Sequence, residues 1–181
     1  MAGKKVVVAW IKRGTLQNTI SFARISPTGE LLDRVGRVLS TRAGEGWMLA
    51  VAANSEKALI VWLDIEDALQ SALIDLDSGR VLTSNELDAP VSRNAVAAAT
   101  NGQDFLVGYD KLKFLRVDGG AGSVFEGDVP RDRLYVSANT TFPSIAFIDG
   151  HYVATFVSRE NNPTWYTLSV PNHAFRRLRR L

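Results

Sequence analysis

Apolar runs of five to nine residues alternate with turn residues along the whole chain, and the runs fall into groups. One complete group is 47–53, 58–63, 68–76 and 80–87. A second is 94–99, 105–109, 112–117 and 123–129. A third is 144–148, 152–157, 165–170 and 174–178. The N-terminal group has only three members, 5–11, 19–25 and 31–39. Most runs are rich in β-branched and aromatic residues, which pack well on a pleated surface and predict strands. Between the third and fourth runs of the complete groups sit Asp77-Ser78-Gly79, Asp118-Gly119-Gly120 and Pro171-Asn172, and between the last two runs of the N-terminal group sits Pro27-Thr28-Gly29. Gly, Asn and Asp accept the positive φ that tight hairpins need, and Asn101-Gly102 and Asp149-Gly150 punctuate the preceding hairpins in the same way. One segment competes with the strand pattern. Glu66-Asp67-Ala68-Leu69-Gln70-Ser71-Ala72-Leu73 has helix formers at helical spacing. Its alignment with 20–26 and 111–118 predicts a strand instead.

The groups are versions of one unit. An aromatic closes the second run of each complete group, at Trp62, Tyr109 and Phe156, and the first run of the N-terminal group, at Trp10, with spacings of 52, 47 and 47 residues. Periods of this size indicate a repeat architecture, and four antiparallel strands per unit is the pattern of a β-propeller blade. The expected fold is all-β and propeller-type, as a single domain with blades near 3–42, 43–90, 91–138 and 139–181. Small residues Ala52, Ala97 or Ala98, and Ala146 fall on the first strand, where a narrow channel would exclude bulk. The closing aromatics are expected between neighbouring blades. A β-sandwich would account for the strand number but not for the ordered recurrence.

The stretch Ser144-Ile145-Ala146-Phe147-Ile148-Asp149-Gly150-His151-Tyr152-Val153-Ala154-Thr155-Phe156 resembles a bacterial β-propeller repeat. There an inner strand carrying a small residue reaches an Asn-Gly or Asp-Gly turn, and an aromatic-aliphatic strand follows. The later Pro-x-Gly step matches Ala23-Arg24-Ile25-Ser26-Pro27-Thr28-Gly29. The resemblance spans nearly the whole chain. It implies an architecture found in secreted and surface bacterial proteins and implies no activity. The Trp-Asp dipeptide does not recur, since Trp62 is followed by Leu63 and then Asp64. The Asp box of sialidase-type propellers is absent as well.

Composition narrows the chemistry. Of 181 residues, 46% are hydrophobic and 22% charged, enough apolar material for a core. No cysteine is present, which excludes disulfides, thiolate metal sites and a Cys nucleophile. Net charge is +2, yet Arg176, Arg177, Arg179 and Arg180 supply four positive charges, so the remaining body is slightly acidic. No apolar run reaches the length of a membrane span. The apolar run after Lys5 is too short for a signal peptide. That predicts a cytoplasmic protein if Met1 is the native start, and a secreted or surface protein if the chain is a fragment.

No catalytic residue, cofactor or metal ligand is predicted. His151 and His173 each sit beside a hairpin turn, and no third ligand accompanies them. The alternating carboxylates Asp75 and Asp77 lack the later oxygens of a calcium loop, and the stretch is expected to be a hairpin turn capped by an Asp. Asp64, Glu66 and Asp67 are expected to keep a loop soluble. Asn139-Thr140-Thr141 matches a glycosylation sequon. The arginine-rich end has several readings: a site for phosphates, an anionic membrane or an acidic partner, or an outer strand whose basic residues guard an edge. The edge reading is preferred, and nucleic acid is not expected as a partner.

Counting back from the closing aromatic, Gly3 precedes Trp10 by the seven residues that separate Gly102 from Tyr109. The first unit therefore begins in the middle of the repeat, without its inner strand. Its first strand would expose unpaired backbone groups and invite an added strand. The expected function is a non-enzymatic binding or scaffolding module, part of a larger ring or hetero-complex. Its partner is another protein chain, held through Val6, Val7 and Val8 and through Arg176, Arg177, Arg179 and Arg180. An enzyme or lectin with a pocket at the channel mouth is the alternative.

Overall fold

The computed structural model describes residues 5–44, 48–89, 91, 95–110, 113–127, 140–158, 164–171 and 175–177. Among them there are strands and turns and no helix. The chain divides into two compact units, Met1–Val91 and Ser92–Leu181.

The first unit holds two antiparallel sheets. One is β1 (Val6–Lys12), β2 (Asn18–Ile25) and β3 (Arg37–Ala43), in the order β1-β2-β3. The other is β4 (Leu49–Ala53), β5 (Lys57–Leu63), β6 (Leu69–Asp75) and β7 (Val81–Asp88), in the order β4-β5-β6-β7. The sheets stack through one face of each. Val7, Ala9 and Ile11 of β1 join Ile20, Phe22 and Leu39, and they meet Ala58, Ile60, Trp62, Ala72, Ile74 and Leu76 of the four-stranded sheet. Along β5 both faces are covered, so Ala58 to Leu63 is one continuous apolar run rather than an alternation. Trp62 lies in this core, as expected for a closing aromatic.

The segment with helical spacing is a strand. Leu69–Asp75 hydrogen-bonds on both sides, to β5 and to β7, and local propensity yields to that pairing. The residues before it form a turn in which Asp67 takes φ 60°.

The third N-terminal run is corrected. Leu31 makes only an isolated bridge to Ile25, and β3 starts at Arg37 and runs on to Ala43, instead of spanning 31–39. Two features break the run: Asp33 is drawn into a buried pair with Arg24, and Gly36 has φ 72°, outside the extended region.

The second unit holds β8 (Val96–Thr100), β9 (Phe105–Tyr109), β10 (Lys113–Val117), β11 (Val124–Gly127), β12 (Thr140–Ile148), β13 (His151–Ser158), β14 (Thr164–Pro171) and β15 (Phe175–Arg177). Strands β12-β13-β14 form one sheet, and β8 to β11 form another in sequence order. Gly108 lets them come together: a Cβ there would stand 2.6 Å from Ile145 Cδ1 and 3.1 Å from Phe114 Cε1. Tyr152 is fully buried, packs edge-on to Phe147 at 4.9 Å and donates its hydroxyl to the Asp104 carbonyl at 3.3 Å.

The expectation that 174–178 completes the last unit is also corrected. β15 pairs antiparallel with β11, Phe125 opposite Arg177 and Gly127 opposite Phe175, and makes a fifth strand in the order β15-β11-β10-β9-β8. Among the described residues the last sheet has three strands. An edge such as β11 offers a row of unpaired N–H and C=O groups, and a local sequence pattern cannot say which edge a final strand will take.

Pairing also sharpens the inner-strand equivalence. Ala52 opposes Leu59, Ala99 opposes Leu106 and Ala146 opposes Val153, each three residues before a closing aromatic. The matching residue in the third unit is therefore Ala99, not Ala97 or Ala98.

Candidate interaction surface

Because β1 alternates its side chains, the residues that do not reach the stacked core emerge on the opposite face of the first sheet. Val6 and Val8 stand there, 53% and 45% exposed. Their cross-strand partners are Ile25 and Ala23, and Trp10 lies opposite Ser21. This open face holds a cavity of about 380 Å³, whose floor includes Val8, Trp10, Ala23 and Ile25 and whose rim includes Leu31 and Val35. Val35 is 96% exposed. Trp10 lies against Gly36, where a Cβ would fall 2.5 Å from the indole Cη2. Glycine at 36 is thus required twice, by its positive φ and by the indole.

The rim is held by a buried ionic network. Arg24 points to the other side of the sheet, and its side chain is 7% exposed. Its Nε donates to Asp33 Oδ2 at 2.8 Å, its Nη2 to Oδ1 at 3.0 Å and its backbone N–H to Oδ2 at 3.0 Å. Arg37 adds a contact from Nε to Asp33 Oδ1 at 2.9 Å. The paired guanidinium of Arg24 holds the Asp33 carboxyl below its ordinary range, and that hydrogen bond outweighs the opposing effect of burial. Arg24 is raised in turn, first by its bond to Asp33.

The same arginines reach the next sheet. Arg24 Nη1 donates to the carbonyls of Leu76 at 3.0 Å and Asp77 at 2.6 Å, and Arg37 Nη1 donates to the Gly79 carbonyl at 2.5 Å. They clamp the β6–β7 turn. Asp75 organises that turn from within by accepting from Ser78 N–H at 2.7 Å and Ser78 Oγ at 2.6 Å, and those bonds lower its pKa. The carboxylate read from the sequence as a turn cap is therefore one. Asp64 does similar work, accepting from the N–H groups of Glu66 at 2.8 Å and Ala68 at 3.0 Å, while Glu66 pairs with Arg42.

The predicted partner-binding residues are divided between the two units. Val6 and Val8 share the open face, but Val7 faces the core between the sheets. Arg176 and Arg177 lie on β15, paired with β11 in the second unit. Arg179, Arg180 and His173 lie outside the described residues, as does the Phe156 side chain. His151 is exposed, and among the described residues no three His, Asp or Glu side chains group as a metal site.

Comparison with known proteins adds little to this geometry. No family model matches the chain, and no curated protein matches it. Among solved structures it is similar to TolB from Acinetobacter baumannii, at 14% identity and a TM-score of 0.40. The match covers 96% of this chain and 57% of the TolB chain, so this chain spans little more than half of that protein's length. At that score the likeness carries no argument about function.

Sequence reasoning missed the Arg24–Asp33–Arg37 network. Its one sequence signal is an arginine inside an apolar strand, flanked by Ala23 and Ile25, where a charge needs a buried partner. Nothing local identifies Asp33, nine residues on, as that partner.

Proposed function

We propose that the chain is a non-enzymatic binding and scaffolding module. Its sheets serve as propeller-type blades in a larger ring or hetero-complex, and the first sheet is the surface it presents to a partner chain. One observation carries this reading. The face of the four-stranded sheet bearing Ala58, Ile60 and Trp62 is covered, with exposures of 0%, 0% and 5%. Aligning Trp10 with Trp62, the equivalent face of the first sheet is the one bearing Val6, Val8 and Trp10, and on it Val6 and Val8 stay 53% and 45% exposed. An apolar sheet face with a rimmed cavity is what a packing partner covers. The mass of the native particle tests the proposal. A particle heavier than the 19.8 kDa chain is expected when the protein is isolated from its source. A monodisperse 19.8 kDa monomer that melts cooperatively at working concentration would refute it.

A further inference from the structure

Two connections in the first unit each send one residue inward, and both residues meet the same pair of arginines. Between β2 and β3, the strap 31–36 has Leu31, Leu32, Arg34 and Val35 exposed and Asp33 buried. Between β6 and β7, the turn has Asp77, Ser78 and Arg80 exposed and Gly79 buried. Among the described residues, the hydrogen bonds and ion pairs of the Asp33 carboxylate all come from Arg24 and Arg37. The side-chain bonds to the carbonyls of Leu76, Asp77 and Gly79 come from the same two residues. Lys5 reaches this turn at the Asp77 carboxylate.

Both arginines are used alike. Arg24 holds Asp33 with Nε and Nη2 and the turn with Nη1. Arg37 holds Asp33 with Nε and the turn with Nη1. A guanidinium is a rigid planar fork, so seating one side of it on a carboxylate fixes where the remaining N–H groups point.

We infer that Asp33 is a positioning residue for the β6–β7 turn, and that strap and turn are one coupled element joined through the two guanidinium groups. Moving the strap rotates the forks and withdraws their donors from the turn carbonyls. Moving the turn pushes back on the same forks. Coupling between two sites is reciprocal by thermodynamic necessity. The relay lies wholly within Met1–Val91 and holds whatever covers the first sheet.

The two segments are stiff enough to pass a displacement on. In the turn, the Gly79 N–H donates to the Asp75 carbonyl at 2.8 Å and the Asp75 N–H to the Arg80 carbonyl at 2.9 Å. In the strap, the Leu32 N–H donates to the Arg24 carbonyl at 2.9 Å and the Gly36 N–H to the Asp33 carbonyl at 3.0 Å. Between them there is no slack. A Cβ on Gly79 would stand 2.7 Å from Arg24 Cζ and 2.8 Å from Arg37 Nη1. The Arg24 guanidinium cannot retreat from it, because Asp33 grips its other side and the side chain is 7% exposed. Close-packed groups of this kind transmit strain instead of absorbing it. Lysine at 24 would keep the charge and lose the relay, since an ammonium is a point charge on a flexible stem.

The test is a double-variant cycle on the full chain between two residues that share the arginines, read by urea unfolding of wild type, Asp33→Ala, Gly79→Ala and the pair. The combined change in the unfolding equilibrium is expected to fall short of the product of the single changes by about 5- to 150-fold. Without the carboxylate, the guanidinium can move away from the new methyl group. Gly102→Ala is the control. It has the same kind of strain, with φ +95°, but nothing lies within 4 Å of its Cβ, and it belongs to the other unit. Combined with Asp33→Ala it is expected to be multiplicative within about twofold. Multiplicative effects of Asp33→Ala and Gly79→Ala would overturn the relay, as would an equal shortfall with Gly102→Ala. Placing Arg24→Lys in the cycle is expected to shrink the shortfall, and a shortfall of unchanged size would overturn the role given to Arg24. A second measurement keeps Asp33 intact and so does not depend on the folding of Asp33→Ala. In Gly79→Ala, the Leu32 and Gly36 amides are expected to exchange about 5- to 150-fold faster by local opening at low urea. Unchanged exchange at both amides would overturn the proposal by itself.

Discussion

Replacing Asp33 by alanine tests the buried network on which the shape of the first sheet depends. The wild-type carboxylate accepts three hydrogen bonds from Arg24 and pairs with Arg37, and its side chain is 4% exposed. In Asp33→Ala the Arg24 guanidinium stays buried and keeps only the Leu76 and Asp77 carbonyls as partners. Removing one member of a buried pair costs about 3–5 kcal/mol, because the other charge is left without compensation. The two remaining carbonyls place the expected loss near the lower end, about 3 kcal/mol. For a chain of this length that lowers the melting temperature by about 6–12 °C. Urea unfolding of wild type, Asp33→Ala, Arg24→Ala and the double variant measures it. The double variant is expected to lose less than the sum of the singles, with a coupling of about 1–3 kcal/mol. A single-variant loss below about 1 kcal/mol, or strict additivity, would refute a buried Arg24–Asp33 pair. The same pair sets an acid limit. Its carboxyl pKa is lowered from an ordinary 3.8 in the folded chain, so the unfolded chain binds the proton more readily. The contribution is complete above the ordinary value and is lost as pH falls through the lower folded value. Asp33→Asn is expected to flatten the stability profile in that window. An unchanged acid slope would count against the pairing.

Other outcomes follow from the same geometry. Gly29→Ala and Gly79→Ala separate backbone strain from packing, since φ is +87° and +71° but only Gly79 has Arg24 beside it. Gly29→Ala is expected to cost about 1–2 kcal/mol and Gly79→Ala clearly more; equal losses in urea unfolding would show that the turn is not clamped. Trp62→Ala is expected to cost about 3–5 kcal/mol, as is Tyr109→Ala, since both side chains are 5% exposed. Losses under about 1 kcal/mol at both would break the repeat register. Burial pushes the Tyr152 phenol up to about 12. In an alkaline absorbance titration, Tyr152→Phe is expected to remove a component that ionises near that value, and loss of a component near the ordinary 10.0 would contradict the buried position.

The alternation of apolar runs and turn residues was enough to define nearly every strand, including 69–75, where helical spacing argued the other way. A repeat carries that information because each copy must bury the same face, so a weak signal in one copy is supported by the others. Asp75 was legible as a turn cap, since an Asx turn is local. The start of β3 was not legible. It depends on Asp33 being drawn to Arg24 and on Gly36 making room for Trp10, and both are meetings of residues far apart along the chain. Nor could a sequence separate Val7 from Val6 and Val8, because which side of a β-strand is covered depends on what stacks against it. The choice of β11 rather than β14 by the final strand belongs to the same class. Hydrophobic period and turn chemistry act over a few residues and set the elements. Pairing of edges, burial of a charge and covering of a face are decided between elements, and only the tertiary structure holds them.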